Sequence, residues 1–379
     1  MNTIAPATAL MVCLYVRMLS VWITSSLESA KVPTNIALGN FDGVHLGHRQ
    51  VMAGILGDDT SLAAMRSLTP QSVSALHKSI THQNSPWTEP TSIITSTETS
   101  FQAPKSGPLA TVVTFKPHPQ EYFSGISRPL LTPIAEKIWQ LSQLGIKQLV
   151  LLPFNQALSE LSPEDFVEQI LVEGLNAQRI SVGNDFRFGK GRSGSADGLR
   201  AIAASHNIPV TQVSLKYEQG DRISSSRIRE ALQNGHPETA ARLLGRPYTL
   251  TGKVVKGKQL GRTIGFPTAN LKVPSNKYLP RTGVYSVRVY GVSSTNRSGA
   301  TSKNDRVLNG VMNVGNRPTV NGQSLSIEVH LLDWEGDLYG QLLTVSLEGF
   351  VRAEKKFESI EQLKGQIATD CNVAIAALK

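Results

Sequence analysis

The stretch IALGNFDGVHLGHRQVM, residues 36–52, decides how the first half of this chain folds. It opens with an apolar run, turns through glycines, and continues into a pattern that favours a helix. Strand, glycine-rich turn and helix form phosphate sites in open α/β sheets, because free backbone N–H groups and the helix dipole point at the ligand. Gly39 and Gly43 let a phosphate approach closely. The stretch therefore predicts an anion site.

Two histidines of this stretch, His45 and His48, stand three residues apart, which places both on one face of a helical turn. Two imidazoles there can donate hydrogen bonds to a phosphoryl group as charge builds up in a transition state. A lone histidine near a helix start is usually a polar surface residue, but a pair behind a glycine-rich turn favours a functional role. Zinc is a competing interpretation, disfavoured because no third or fourth ligand stands nearby at metal spacing.

Composition narrows the function classes. The chain has 379 residues, of which 40% are hydrophobic and 18% charged, so we expect a globular protein of two or three domains. A formal net charge of +9 favours an anionic partner. Nucleotides fit this charge, whereas nucleic acid is not expected because lysine-arginine runs and RNA-reading motifs are absent from the sequence. Cys13 and Cys371 form neither a disulfide framework nor a metal pattern, which favours a reducing cytoplasm.

Two segments are expected to stand apart from the domains. Residues 7–23 are largely apolar, but Arg17 interrupts them and no basic residue precedes them. This disfavours a signal peptide and a membrane span, so residues 1–18 are predicted to be an N-terminal extension, with Met18 as an alternative start. Residues 57–108 are rich in Ser, Thr, Pro and Gln, which predicts a flexible surface insertion.

Strands alternating with helices follow this insertion. Apolar and β-branched runs at residues 110–115, 148–153 and 179–182 predict buried strands. Thr132 and Ser162, each followed by proline, predict helix starts. This alternation implies a parallel sheet with helices on both faces.

Two loops of this region carry further candidate site residues. GNDFRFGKGRSG, residues 183–194, follows a predicted strand, and its mixture suits an aromatic ring system that carries a phosphate: Phe186 and Phe188 for the ring, Asn184 and Asp185 for its polar edge. A glycine-rich surface loop with incidental charges is the alternative. DRISSSRIR, residues 221–229, places serines and arginines at a helix start, where they form an N-cap and also a triphosphate site.

The pattern changes near residues 245–248, where short β runs separated by glycine and proline turns begin. They predict an all-β barrel or sandwich. Residues 252–259 nearly match a P-loop, but the last of them is Gln259 and not Ser or Thr, so this interpretation is rejected.

GRTIGFPTAN and SIEVHLL, residues 261–270 and 326–332, carry the chemistry of the second half. Thr268 and Asn270 share a face of an extended backbone and offer hard oxygen ligands that suit Mg²⁺ bound to ATP phosphates. Phosphoryl transfer to an alcohol needs a base, and Glu328, which alternates with apolar neighbours, is a candidate in a barrel mouth. An exposed strand glutamate is the alternative.

These motifs together resemble one family. GNFDGVHLGH resembles the HxGH signature of the adenylyltransferase superfamily, in the form found in bacterial bifunctional riboflavin kinase/FMN adenylyltransferases, also called FAD synthetases. TFKPHP, GNDFRFG, ISSSRIR, GRTIGFPTAN and IEVHLL resemble further motifs of that family, with Ser226 where threonine is usual. The resemblance covers roughly residues 21–357, apart from the insertion and a polar loop at 292–306.

The resemblance implies a fold and two reactions. Residues 19–245 would form a Rossmann-like FMN adenylyltransferase domain with a parallel sheet, and residues 246–379 a riboflavin-kinase-type β-barrel. The barrel would phosphorylate riboflavin with ATP to FMN, and the first domain would transfer AMP from a second ATP to FMN, giving FAD and pyrophosphate. Mg²⁺ would serve both steps. Transfer to a different phosphate acceptor, and a non-catalytic flavin- or RNA-binding regulator, remain as alternatives, and the sequence predicts no oligomeric state.

The resemblance also implies site residues. The catalytic residues would be His45, His48, Arg229 and Glu328. The adenylyltransferase ATP site would add Gly39, Phe41, Asp42, Gly43, Ser225 and Ser226, and its flavin site would comprise Asn184, Asp185, Phe186 and Phe188. The kinase ATP site would comprise Gly261, Arg262, Gly265, Thr268 and Asn270, the last two also binding Mg²⁺.

Overall fold

The computed structural model describes residues 21–56, 107–214, 216–218, 220–257, 260–292, 294–295, 301–302, 307–319 and 322–379. The predicted N-terminal extension and residues 57–106 of the predicted insertion lie outside these ranges. Described residues up to Ser224 form one compact unit, and those from Ser225 onward form a second. None of the helices in the described ranges is long and apolar enough to cross a membrane.

The first unit is built on a six-stranded parallel sheet with the order β1-β4-β3-β2-β5-β6. Its strands are β1 Trp22–Thr24, β2 Thr34–Leu38, β3 Leu109–Lys116, β4 Gln148–Pro153, β5 Ala177–Gly183 and β6 Val210–Val213. Its helices are α1 Leu46–Ala53, α2 Pro119–Ser124, α3 Ile134–Gln143, followed by Gln156–Glu160, Pro163–Asp165, Phe166–Gly174 and Ala196–Ser205. The predicted parallel α/β sheet is confirmed.

Both faces of this sheet are covered, because alternate residues of one strand enter different apolar clusters. Ile36 and Leu38 pack with the helices of residues 166–174 and 196–205, whereas Ala37 packs with α1 and the end of α3. This is why the central strands read as continuous apolar runs. The chain moves from β2 towards β3 and β4 but returns to the other side of β2 with β5, so the topological switch point lies beside β2.

Both predicted helix starts are confirmed, but only one of the two predicted cap residues caps its helix. Ser162 caps its helix, since its Oγ accepts a hydrogen bond from the Asp165 N–H at 3.0 Å. Thr132 does not cap α3, which begins at Ile134 with Pro133 in the cap position and no side-chain cap bond. The Thr132 N–H instead donates to the Asp42 carboxylate at 3.1 Å, and this hydrogen bond anchors the chain two residues before the helix begins.

The second unit contains a closed antiparallel barrel with the order β7-β8-β11-β10-β9-β12. Its strands are β7 Tyr248–Val255, β8 Ala269–Lys272, β9 Gly283–Tyr290, β10 Leu308–Thr319, β11 Gly322–Leu331 and β12 Leu342–Arg352. The helices of this unit are Ser225–Gln233, Pro237–Leu244, Leu260–Thr263 and Ile360–Ala377. Of the two predicted all-β forms, the barrel is the one observed.

Two helices that precede the barrel in sequence belong to its unit. The Tyr278 hydroxyl donates to the Arg229 carbonyl at 3.3 Å, and the Arg281 N–H donates to the Leu232 carbonyl at 3.0 Å. A Cβ on Gly235 would lie 3.3 Å from the Phe350 ring. The units therefore divide between Ser224 and Ser225, one helix pair before the composition change that predicted a boundary at 245/246.

The C-terminal helix, Ile360–Ala377, covers the outer face of β9, β10 and β12, and the sequence pattern did not predict it. Cys371 and Ala374 pack there against Val284 of β9 and other apolar residues of the barrel. A two-pronged ion pair ties the helix to β12, with Arg352 Nε donating to Asp370 Oδ1 at 2.8 Å and Nη2 to Oδ2 at 2.7 Å. Asp370 is 3% exposed, so this helix is held by a desolvated charge pair as well as by apolar contacts.

Asp370→Asn is expected to destabilise the second unit. The amide keeps the size of the carboxylate but leaves part of the Arg352 guanidinium without its charged acceptor, which typically costs about 1–3 kcal/mol. Scanning calorimetry of the full chain should show a lower unfolding temperature, with Glu358→Gln on the exposed approach to the helix as the matched control. Equal unfolding temperatures for Asp370→Asn and the parent would mean that the apolar contacts alone hold the helix.

Candidate functional site

The turn that follows β2 has strained backbone angles, and two buried side chains hold it in place. Phe41 and Val44 both adopt a positive φ, of 49° and 44°, although neither is glycine. Such conformations cost on the order of 1–3 kcal/mol each and persist where the surroundings over-determine them. Both side chains are 1% exposed and pack in the apolar cluster under the sheet edge. Phe41 therefore presents its backbone at this edge, while its ring is buried.

His45 and His48 lie face to face at the start of α1. Their ring centroids are 3.5 Å apart with an interplanar angle of 17°. His45 is the N-cap of the helix, and its Nδ1 accepts a hydrogen bond from the His48 N–H at 3.2 Å. Neutral His45 therefore carries its proton on Nε2, as a hydrogen-bond donor.

His48 is held neutral by its surroundings. Burial lowers its pKa well below the usual value, and electrostatic repulsion from His45 and Lys137 lowers the pKa further. His48 Nδ1 makes no hydrogen bond within the part of the chain that the structure describes. The pair is thus suited to donating hydrogen bonds to developing negative charge, rather than to holding a permanent positive charge.

His118 repeats this arrangement at the end of β3. It caps α2, with its Nδ1 accepting from the Gln120 N–H at 3.0 Å, while its own N–H donates to the Glu121 carboxylate at 3.1 Å. Neutral His118 therefore also carries its proton on Nε2. Burial, followed by the charge of Arg128, lowers its pKa. The proline-flanked histidine is both a structural cap and an oriented donor.

Lys137 of α3 is a buried cation that sequence reasoning missed. It is 7% exposed, and its Nζ donates to the Asn40 carbonyl at 3.0 Å. A sequence signal existed: Lys137 is three residues after Ile134 and four before Leu141, on the apolar side of an amphipathic helix. Asp42, predicted to belong to the ATP site, uses its carboxylate to accept hydrogen bonds from the Leu131 and Thr132 N–H groups at 3.2 and 3.1 Å.

The loop after β5 separates the predicted flavin-binding residues into two groups. Phe188 is 5% exposed and belongs to the core cluster, whereas Phe186 is half-buried and stacks on it at 5.7 Å. Asn184 and Asp185 are exposed, and Asp185 forms an ion pair with Arg222. Only Phe186, Asn184 and Asp185 of this set are thus accessible.

A second aromatic group lies near the carboxyl ends of β3 and β4, and the sequence analysis did not single it out. Tyr122, Phe123 and Phe154 contact one another edge to face, and Phe115 contacts Phe154 in the same way, with ring centroids 5.2–5.8 Å apart. Phe123 is 72% exposed, an unusual position for a phenylalanine. Two of its members, Tyr122 and Phe123, belong to the helix that His118 caps, so an exposed apolar surface follows this histidine in the chain.

The barrel aligns three polar residues of the second unit in one row. Asn270 of β8 and Asn313 of β10 both pair directly with Glu328 of β11. Directly paired residues share a face of the sheet. The neighbours of Glu328 on either side, Ile327 and Val329, are buried in the barrel, so this row lies on the outer face. The expectation that Glu328 sits inside a barrel mouth is therefore wrong in its location.

The loop between β7 and β8 folds against this row through close backbone approaches. A Cβ on Gly257 would lie 2.4 Å from Asn270 Nδ2, and one on Gly261 would lie 2.3 Å from the Phe266 carbonyl oxygen. The Phe266 N–H donates to the Gly261 carbonyl at 2.8 Å, and Gly265 turns the chain at φ 87°. These three glycines shape the loop that carries Thr268.

His330 fixes the far end of that loop, a role that sequence reasoning missed. Its Nδ1 lies 2.9 Å from the Pro267 carbonyl oxygen, and its ring contacts Phe266 edge to face at 5.5 Å. Phe266 also packs against the cluster under the C-terminal helix. Arg262 is exposed on the short helix of the same loop. The placement of Thr268 thus depends on both His330 and the C-terminal helix.

The predicted triphosphate residues Ser225, Ser226 and Arg229 belong to the second unit. They occupy the first turns of the helix Ser225–Gln233, where serine hydroxyls and backbone N–H groups gather. Arg229 Nη1 donates to the Ser225 carbonyl at 3.4 Å, and its guanidinium lies 5.6 Å from the centre of the Tyr278 ring. The side chain is therefore oriented within its own unit.

Comparisons with known proteins agree with both units. A family model described as FAD synthetase matches residues 92–227, and one described as riboflavin kinase matches residues 244–378. The bifunctional riboflavin kinase/FMN adenylyltransferase of Escherichia coli strain K12 is 34% identical over 339 residues, covering 88% of this chain and 90% of the relative. That of Bacillus subtilis strain 168 is 35% identical over 358 residues, covering 92% and 94%.

A solved structure extends the likeness to nearly the whole chain. The crystal structure of a macrolide-efflux protein from Streptococcus pneumoniae matches with a TM-score of 0.70 and 25% identity, covering 93% of this chain and 98% of that one. Two family models, one for each unit, and curated relatives matched over most of their length lead to one conclusion. The chain belongs to the family of bifunctional riboflavin kinase/FMN adenylyltransferases.

Proposed function

We propose that this chain makes FAD in two ATP-dependent steps, each with its own set of residues. The second unit phosphorylates riboflavin to FMN, and the first unit transfers AMP from another ATP to FMN, releasing pyrophosphate. One observation carries the proposal: a histidine pair at the carboxyl edge of a parallel sheet and the Asn270–Glu328–Asn313 row on a barrel occur in one chain. The two reactions need only small-molecule substrates as partners. We also propose a cytoplasmic location, which the low cysteine content of two residues supports.

Adenylyl transfer needs no covalent enzyme intermediate. An oxygen of the FMN phosphate attacks the α-phosphorus of ATP in line, and the bond to the pyrophosphate oxygen breaks. His45, with its proton on Nε2, donates a hydrogen bond to the charged oxygens, and neutral His48 lies beside it. The α1 N-terminus adds backbone N–H groups. The motif of Ser225, Ser226 and Arg229, with hydroxyl and guanidinium donors at a helix start, supports a role of these residues in binding the ATP triphosphate.

The flavin ring of FMN needs an apolar surface next to this phosphate site. The exposed Phe123 and its aromatic neighbours provide one, and aromatic rings stack favourably with offset faces. Phe186 is the accessible phenylalanine of the predicted set. Asn184 and Asp185 offer an amide and a carboxylate for the polar edge of the flavin. We assign the ring to the space between these groups.

Phosphoryl transfer in the second unit uses Glu328 as the base. Its carboxylate takes the proton of the ribityl 5′-hydroxyl, whose oxygen attacks the γ-phosphorus of ATP, and ADP leaves. Thr268 and Asn270 are assigned to Mg²⁺, because this ion prefers oxygen ligands such as a hydroxyl group and a side-chain amide. Asn270 pairs with Glu328 on the neighbouring strand, which places the assigned ligand next to the carboxylate. Bound Mg²⁺ would neutralise phosphate charge. Gly261, Arg262 and Gly265 form the loop that would cover the ATP phosphates.

The two histidines are expected to serve one step only. The double variant His45→Asn and His48→Asn should lose FMN adenylylation while riboflavin phosphorylation stays near the parent rate. Asparagine is a good N-cap, so α1 should remain folded, but the donor of the His45 ring is lost. Loss of one transition-state donor typically costs on the order of 10²–10³ in rate. Chromatography of the flavins formed from riboflavin, and separately from FMN, measures both steps.

Full FAD synthesis by this double variant would remove the histidines from the mechanism. His206→Asn provides the matched control, because this histidine lies at the end of the helix Ala196–Ser205, paired with Glu168, rather than beside α1. It should retain both activities.

Glu328→Gln should suppress riboflavin phosphorylation and spare adenylylation of supplied FMN. Glutamine keeps the size of the side chain and lets the strand pair, but it cannot take a proton, and loss of a general base costs about 10²–10⁴ in rate. Thr268→Ala is the contrasting variant, which should weaken Mg²⁺–ATP binding and regain part of its activity at high Mg²⁺. The measurement is the initial rate of FMN formation over a Mg²⁺ series, with FAD formation from FMN as the folding control.

Rescue of Glu328→Gln by Mg²⁺ would identify the carboxylate as a metal ligand. A loss of only a few-fold without Mg²⁺ rescue would mean that Glu328 orients the flavin or supports the strand. Either result contradicts its assignment as the base.

A further inference from the structure

Lys137 lies under the phosphate-site turn and is not explained by stability alone. It is 7% exposed, and burial lowers the pKa of its ammonium group, an effect that the nearby Asp42 carboxylate opposes. Burying a charge costs several kcal/mol before any pairing, and apolar replacements of buried ions are often neutral or stabilising. A leucine or methionine at this position of α3 would avoid that desolvation cost. The burial of this cation therefore has to be explained by the contacts that it makes.

The contact that explains the buried cation is a hydrogen bond to the Asn40 carbonyl. Lys137 Nζ donates to this oxygen at 3.0 Å, and Thr114 Oγ1 donates to the same oxygen at 3.2 Å. Two buried donors on different elements, α3 and β3, thus converge on one acceptor and fix the plane of the Asn40–Phe41 peptide. The residue after Phe41 is anchored through its side chain, since the Asp42 carboxylate accepts hydrogen bonds from the Leu131 and Thr132 N–H groups.

Fixing this carbonyl also fixes the N–H group of Phe41. In a trans peptide the C=O and N–H bonds point in opposite directions, so a carbonyl held towards Lys137 and Thr114 turns the Phe41 N–H away from them. Among the described residues, the Phe41 N–H has no hydrogen-bond acceptor. Phe41 also holds a positive φ of 49°, which the chain would relax if nothing opposed it.

We propose that Lys137 is a positioning residue for adenylyl transfer: it holds the strained Asn40–Phe41 peptide with the Phe41 N–H directed at an ATP phosphate. The inference rests on the proposed function of the first unit. The same ammonium group adds a second effect, since its charge lowers the pKa of both His48 and His118 and so favours their neutral, donating forms. Backbone orientation and histidine charge then depend on one side chain.

Lys137→Met is the principal test. It keeps the length and the apolar stem but removes the donor and the charge, so adenylylation should fall on the order of 10²-fold in kcat/KM for ATP, the typical effect of losing one preorganised donor. Lys137→Gln, which retains an N–H donor without the charge, should lose less. Lys147→Met, at an exposed position after α3, is the matched control and should retain the parent rate. Riboflavin phosphorylation should be unchanged in all three variants.

Thr114→Val supplies an independent measurement on the same carbonyl. Loss of this neutral hydrogen bond, worth about 1 kcal/mol, should reduce adenylylation about fivefold. The double variant should lose less than the product of the single effects, because both donors act on one acceptor. If Lys137→Met fails to fold, Thr114→Val decides: a selective loss of adenylylation supports the inference, and a parent-like rate overturns it.

Equilibrium binding of ATP, measured calorimetrically without flavin, separates this inference from the proposed function. If the parent forms no FAD from FMN and ATP, the proposed function fails, and weaker ATP binding by Lys137→Met than by Lys147→Met still supports the positioning role. Parent-like adenylylation by a folded Lys137→Met, or equal ATP binding by both variants in a parent without activity, overturns it.

Discussion

Burial of β2 on both faces is the constraint on which the first unit depends. Ile36 and Leu38 enter one apolar cluster and Ala37 the other, so the strand can neither slide nor rotate by one residue without exposing its apolar side chains. The turn that follows inherits this rigidity, because the buried side chains of Phe41 and Val44 hold backbone angles that they would otherwise avoid. A strained turn on a fixed strand is a good platform for phosphate, since its N–H groups need no reorganisation when the ligand binds.

The histidines show how helix capping can set chemistry. His45 and His118 each use Nδ1 to accept a backbone N–H at a helix start, and each is thereby left with a proton on Nε2. A cap that stabilises a helix by roughly 1 kcal/mol also selects a tautomer. Local structure and function are satisfied by the same hydrogen bond.

The barrel solves a different problem, which is to bring together motifs far apart in sequence. Antiparallel pairing places Asn270, Glu328 and Asn313 in one row, and the packed interior forces them to the outer face. Two contacts hold the loop that carries Thr268. His330 lies within hydrogen-bond distance of the Pro267 carbonyl, and Phe266 packs against the apolar cluster of the C-terminal helix. The Arg352–Asp370 pair, remote in sequence from GFPTAN, therefore contributes to the support of that loop.

The sequence alone determined the alternation of strands and helices, the change to short β runs, the family and the motifs of both reactions, because periodicity, turn residues and motif spacing are local properties. Tertiary structure decided what depends on contacts across the chain. It moved Glu328 to the outer face of the barrel, and it placed Phe188 in the core while leaving Phe186 accessible. It made Asp42 an anchor for the loop before α3, since the N–H groups from which its carboxylate accepts are 89 and 90 residues away in sequence. The role of Lys137 also depends on tertiary structure, because only folding brings α3 within hydrogen-bond distance of the Asn40 carbonyl.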